Sequence, residues 1–71
     1  MVKNYGQILK DIRQSKGLTL GEMTKRTGIT NATISLIENE KVVPRPATIK
    51  KLSEAYEMDY IELYELLEKG E

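Results

Sequence analysis

The sequence contains neither His nor Cys. The side chains able to do chemistry are therefore its eleven Lys/Arg, its eleven Asp/Glu, and the hydroxyls and amides between them. Without imidazole or thiol, nucleophilic catalysis and zinc ligation lose their usual groups. The carboxylates crowd the end of the chain as Glu54, Glu57, Asp59, Glu62, Glu65 and Glu68. They read as the outside of a helix, not as a convergent acid–base pair or cation cage. No enzyme, catalytic residue, metal or cofactor is expected. What remains is recognition by charge and hydrogen bonding. Net charge is zero, yet residues 1–51 hold ten of the eleven Lys/Arg against four acids, a net +6. Residues 52–71 hold Lys69 against seven acids, a net −6. Such asymmetry points to a basic working surface and a separate acidic end; the plainer alternative is unevenly charged, solvated helix faces.

Helical elements must position these groups, because apolar residues recur at helical spacing and nowhere alternate like a strand. Ile8, Leu9 and Ile12 stripe a first helix over about 4–15, which Gly17 closes. Thr19-Leu20-Gly21-Glu22 has the spacing of a capping box and opens a second, about 20–27, with Leu20, Met23 and Thr27 on one face. Gly28 ends it, Ile29 turns inward, and Thr30 is a suitable N-cap for a third, about 31–38, buried through Ile34 and Ile37. Pro44 and Pro46 hold a loop before a fourth helix, about 46–56, with Ile49, Leu52, Ala55 and Tyr56 inward. A fifth, about 59–68, carries Ile61, Leu63, Tyr64, Leu66 and Leu67. The expectation is one all-α domain over residues 1–71: five short helices around a small core that has no Phe or Trp to fill it. No apolar run approaches the roughly 20 residues that span a bilayer, and the start MVKNYGQ lacks a signal peptide's apolar stretch, so a soluble cytoplasmic protein is expected. Helix, glycine turn and helix over Gly21–Asn39 fits a helix-turn-helix, whose second helix enters the DNA major groove. Periodicity alone leaves an ordinary helical hairpin equally open.

Placed residues go further. Arg13, Gly17-Leu18-Thr19, Gly28-Ile29-Thr30, Ile34-Ser35, Ile37-Glu38 and Pro44 follow one another at set spacing. From about Gly6 to Leu63 the chain resembles the phage-repressor/Cro-like helix-turn-helix family. It departs from that pattern at Leu20, where the family often has Gln, at Thr24, where it has a small Ala, and at Glu40, where it has Gly.

The resemblance implies a compact five-helix, repressor-like DNA-binding domain with helices 2 and 3 as the helix-turn-helix. Asn31, Ala32, Ser35 and Leu36 match positions that reach base edges, and their i, i+1, i+4, i+5 spacing puts them on one helix face. An Asn amide can bond adenine N6 and N7 together; assisting the helix cap is the competing role. Phosphate contacts fall to the helix 2 N-terminus at Thr19, to Thr30, Thr33, Asn39, Lys41 and Arg45, and to Lys50. Arg13 and Glu38 match an internal ion pair that orients the third helix. The function implied is a transcriptional regulator, a repressor by expectation, reading double-stranded DNA. A homodimer on a two-fold operator is expected, with half-sites about 34 Å apart. Ile61, Tyr64 and Leu67 are the candidate dimer surface. The competing function is a protein-interaction module, its acidic C-terminal helix facing a basic partner protein.

Overall fold

A computed structural model describes residues 1–70, and their regular structure is five helices in sequence. These are α1 (Tyr5–Ser15), α2 (Leu20–Thr27), α3 (Asn31–Glu38), α4 (Pro46–Tyr56) and α5 (Tyr60–Lys69). Sequence boundaries hold within one residue: α1 starts after Asn4, and α5 is shifted by one because Asp59 is its N-cap. None of these helices is long and apolar enough to cross a membrane.

The helix ends follow from local chemistry. At α2 the capping box forms in both directions: Glu22 N–H donates to Thr19 Oγ1 at 3.1 Å, and Thr19 N–H donates to Glu22 Oε1 at 3.0 Å. The Thr19 amide holds the Glu22 carboxyl below the usual glutamate range, aided by the Thr19 hydroxyl and by Arg26 and Lys25. Because the folded pKa is lowered, this stabilisation is complete above the ordinary glutamate range and is lost as pH falls through the lowered value. Glu22→Gln keeps an acceptor for the box without a titrating group. It should flatten the acid side of a plot of Tm against pH while changing neutral Tm little; an acid side as steep as the parent's would count against the assignment.

Three helices end in a paired bonding pattern that needs a left-handed residue just beyond the last turn. After α1 that residue is Gly17, φ 70°, with Gly17 N–H bonded to Gln14 O and Leu18 N–H to Arg13 O. After α3 and α4 it is Glu40, φ 62°, and Glu57, φ 59°, each costing about 1 kcal/mol or more because a Cβ is present. Tertiary bonds offset part of that cost. The Glu40 carboxylate accepts from Gly6 N–H at 3.1 Å, placing an anion at the N-terminus of α1, whose own Asn4 side chain makes no capping bond. Beside Glu57, Arg26 donates to the Ala55 carbonyl at 2.9 Å and tethers the end of α2 to the end of α4.

The core comprises Tyr5, Ile8, Leu9, Leu18, Met23, Ile34, Ile37, Ile49, Leu52, Ala55, Tyr56, Leu63 and Leu67. Every helix contributes, which is how short elements share one interior. The Tyr56 hydroxyl is buried and donates to the Leu9 carbonyl at 3.2 Å, and burial pushes its pKa up. α1 passes so close to the end of α3 that a Cβ at Gly6 would stand 2.3 Å from the Glu38 carbonyl oxygen. The N-terminus packs on α5, with Val2 N–H bonded to Leu67 O at 2.8 Å.

One expected surface residue is corrected. Leu67 is 0% exposed and lies in the core, so it cannot belong to a dimer surface. It sits four residues after Leu63, also 0% exposed, and both point inward on the same helix face. Ile61 and Tyr64, at 62% and 42% exposure, point away.

Candidate nucleic-acid interface

The turn between α2 and α3 is fixed residue by residue. Thr27 donates its hydroxyl to the Met23 carbonyl at 2.7 Å and accepts from Ile29 N–H at 3.0 Å, so it spans the helix end. Gly28 at φ 77° reverses the chain without a Cβ clash. Ile29 packs against the core, and Thr30 accepts from Thr33 N–H at 3.2 Å to start α3. The four residues Thr27 to Thr30 therefore fix how α3 leaves the turn.

α3 divides cleanly. Ile34 and Ile37 are buried, while Asn31, Ala32 and Leu36 are exposed and Ser35 is half-buried on the opposite side. The face carries hydrogen-bonding groups at 31 and 35 and apolar contacts at 32 and 36, with no charge. Two of its polar groups are already engaged. Thr24 Oγ1 donates to Asn31 Oδ1 across the turn, and Asn39 Nδ2 donates to Ser35 Oγ at 3.2 Å.

The orientation of α3 also rests on Arg13. Its Nε donates to Glu38 Oε2 at 2.7 Å, its second amino group to Glu38 Oε1 at 3.2 Å, and its third donor to the Leu18 carbonyl at 2.8 Å. The side chains are 10% and 7% exposed. The bond to Glu38 raises the Arg13 pKa above its ordinary value, so the guanidinium stays charged.

The expected phosphate contacts are not equally placed. Lys41 and Arg45 are exposed and enter no ion pair among the described residues. Arg45 stands on the rim of a groove of about 310 Å³ beside α3, lined mostly by apolar residues including Ile29, Ile37 and Val42. Lys50 is exposed on α4. Thr30 and Thr33 bond each other, hydroxyl to hydroxyl at 3.0 Å, which leaves the Thr33 hydrogen free. At Thr19 a phosphate would find the amides of Leu20 and Gly21 but also the Glu22 carboxylate beside them. Asn39 is exposed, and its Nδ2 donates to the Ser35 carbonyl at 2.9 Å as well as to Ser35 Oγ. The sequence alone places Thr27 on the inner face of α2 but shows neither its two bonds across the turn nor the parts played by Gly6 and Arg26, and it marks Thr24 and Glu40 only as departures from a pattern. A threonine in the last turn of a helix before Gly was the one local signal available.

A family model described as helix-turn-helix matches residues 9–63. The chain is 42% identical over 60 residues to the HTH-type transcriptional repressor RghR of Bacillus subtilis, covering 83% of this chain and 44% of that protein. It is 44% identical over 57 residues to the uncharacterized HTH-type transcriptional regulator RghRB of the same organism, covering 79% and 41%. With the HTH-type transcriptional regulator PuuR of Escherichia coli it shares 36% identity over 64 residues, 90% and 35% of the two chains. The chain thus spans less than half the length of these curated relatives. No solved structure matches it.

Proposed function

Because the chain belongs to the helix-turn-helix family, we propose that it is a cytoplasmic DNA-binding transcriptional repressor whose α3 reads the major groove of a two-fold operator. The observation that carries this reading is α3 itself. A fixed turn holds it with Ile34 and Ile37 buried, and with Asn31, Ala32, Ser35 and Leu36 on the side turned away from the core. Asn31 and Ser35 supply hydrogen bonds to base edges, and Ala32 and Leu36 pack on thymine methyls. Lys41 and Arg45 supply phosphate contacts, with Lys50, Thr30, Thr33 and the α2 N-terminus as minor ones. Repression, like that in the name of the B. subtilis relative, follows where the operator overlaps a promoter.

The protein acts as a homodimer in this reading, since a single α3 spans too few base pairs to discriminate among genomic sites. Ile61 and Tyr64 are the exposed apolar residues of α5 available for the contact, and Tyr60 stacks on Tyr64 with ring centroids 6.0 Å apart.

The test separates affinity from readout. Lys41→Ala or Arg45→Ala should weaken binding to every duplex alike and lower the magnitude of the slope of log K against log salt by about one each, because each phosphate contact releases a counterion. Asn31→Ala should instead cost about 1–3 kcal/mol on the preferred site, leave the slope unchanged and relax one base pair. Binding that is absent, or indifferent to salt, would sink the proposal and favour an interaction module working through the exposed Glu54, Glu62 and Glu65.

A further inference from the structure

We infer that Thr24 sets which base Asn31 reads, by holding the amide so that only its N–H edge faces the DNA. The inference rests on the proposed role of α3 and goes on to name the base. Thr24 lies on α2, half-buried, and its hydroxyl donates to Asn31 Oδ1 across the turn. Asn31 is the first residue of α3 and its side chain is otherwise exposed. The two ends of an Asn amide read different things. A bidentate contact to adenine needs both together, Oδ1 accepting from N6 and Nδ2 donating to N7. With Oδ1 turned toward α2, the group left outward is Nδ2 with its two hydrogens. Two donors match guanine, whose N7 and O6 are adjacent acceptors. Adenine offers N7 as one acceptor but sets its N6 amino group against the second N–H, cytosine offers only an amino group, and thymine a single acceptor, O4.

One turn along the same face, Ser35 points the same way. Asn39 Nδ2 donates to Ser35 Oγ at 3.2 Å, so the hydroxyl is left with its hydrogen to donate. Both polar groups of the reading face are thereby turned into donors by neighbours that do not themselves reach a base. Thr24 is a positioning residue, acting on the DNA only through Asn31.

The experiment is binding-site selection from random duplex DNA with the full chain and its variants Thr24→Val, Thr24→Ser and Asn31→Ala, each checked by its melting curve. The parent and Thr24→Ser, which keeps the hydroxyl, should both enrich guanine at one position of each half-site. Thr24→Val removes the donor at nearly constant shape and frees Oδ1, so the adenine-to-guanine ratio at that position should rise about tenfold, the worth of one base contact. Asn31→Ala should lose preference at the same position. Thr24→Ala repeats the release should valine disturb the α2–α3 contact. If Asn31→Ala relaxes the position but neither Thr24→Val nor Thr24→Ala moves it, Asn31 reads DNA without help from Thr24 and the inference is overturned. If the parent enriches adenine there, it is overturned too. Failure of every protein to enrich any sequence would instead sink the DNA-reading function itself.

Discussion

Leu67→Glu should leave no folded domain at room temperature, whereas Ile61→Glu should melt close to the parent. Leu67 is 0% exposed, so a carboxylate there would be buried without a partner, at a cost of several kcal/mol. Losing the leucine's packing adds about 2–5 kcal/mol. A 71-residue chain has roughly 4–10 kcal/mol of stability to lose. Ile61 is 62% exposed, and a glutamate there meets water. The same change six residues apart on one helix thus separates core from surface, read by circular dichroism on heating. Sedimentation of the Ile61→Glu variant at micromolar concentration should show monomer where the parent shows dimer. A folded Leu67→Glu would overturn the packing of α5; a dimeric Ile61→Glu would remove Ile61 from the proposed interface.

This contrast marks where the sequence stops being legible. Five apolar residues in α5 at helical spacing establish a helix, and they wrap more than one side of it. Which side is covered depends on where α1, α4 and the N-terminal residues lie, and none of those is encoded within α5. Val2 bonding to the Leu67 carbonyl closes over that side from the far end of the chain. Where the deciding partner was near in sequence, the reading was direct. The Thr19–Glu22 box, the left-handed Gly17 and Gly28, and Pro46 at the start of α4 are each settled within four residues.

The site was legible to the same extent. The spacing of 31, 32, 35 and 36 is a property of any helix, and it places four side chains opposite Ile34 and Ile37. What the spacing cannot show is whether a polar atom on that face is free. The Asn39 amide, expected at a phosphate, bonds Ser35 four residues before it. Glu40 stands where the family has Gly, and its carboxylate folds back to accept from the Gly6 amide. Thr24 stands where the family has a small Ala, and it is bonded to Asn31. At Glu40 and Thr24 a residue departing from the pattern has a partner within the fold.

Arg13→Ala and Glu38→Ala should each cost about 3–5 kcal/mol, the loss expected when one member of a buried ion pair is removed. The pair is bidentate and largely hidden from water, at 10% and 7% side-chain exposure. Glu38 is also the last residue of α3, where its charge lies at the negative end of the helix. Removing Arg13 therefore strands a carboxylate that has both lost its partner and kept an unfavourable neighbour. It also orphans the Leu18 carbonyl, which Arg13 bonds at 2.8 Å. Arg13→Ala should accordingly be the more damaging of the two. Arg13→Lys should not restore stability, because one ammonium cannot meet Glu38 and the Leu18 carbonyl with the fixed geometry of a guanidinium. Replacing both residues at once, Arg13→Met with Glu38→Leu, should recover much of the loss, since an apolar pair leaves no buried charge. Urea unfolding of the four variants gives these differences directly. A loss under about 1 kcal/mol for either single alanine change would place the pair with exposed ion pairs. The angle of α3 would then rest on the turn at Gly28 and on Ile34 and Ile37 alone.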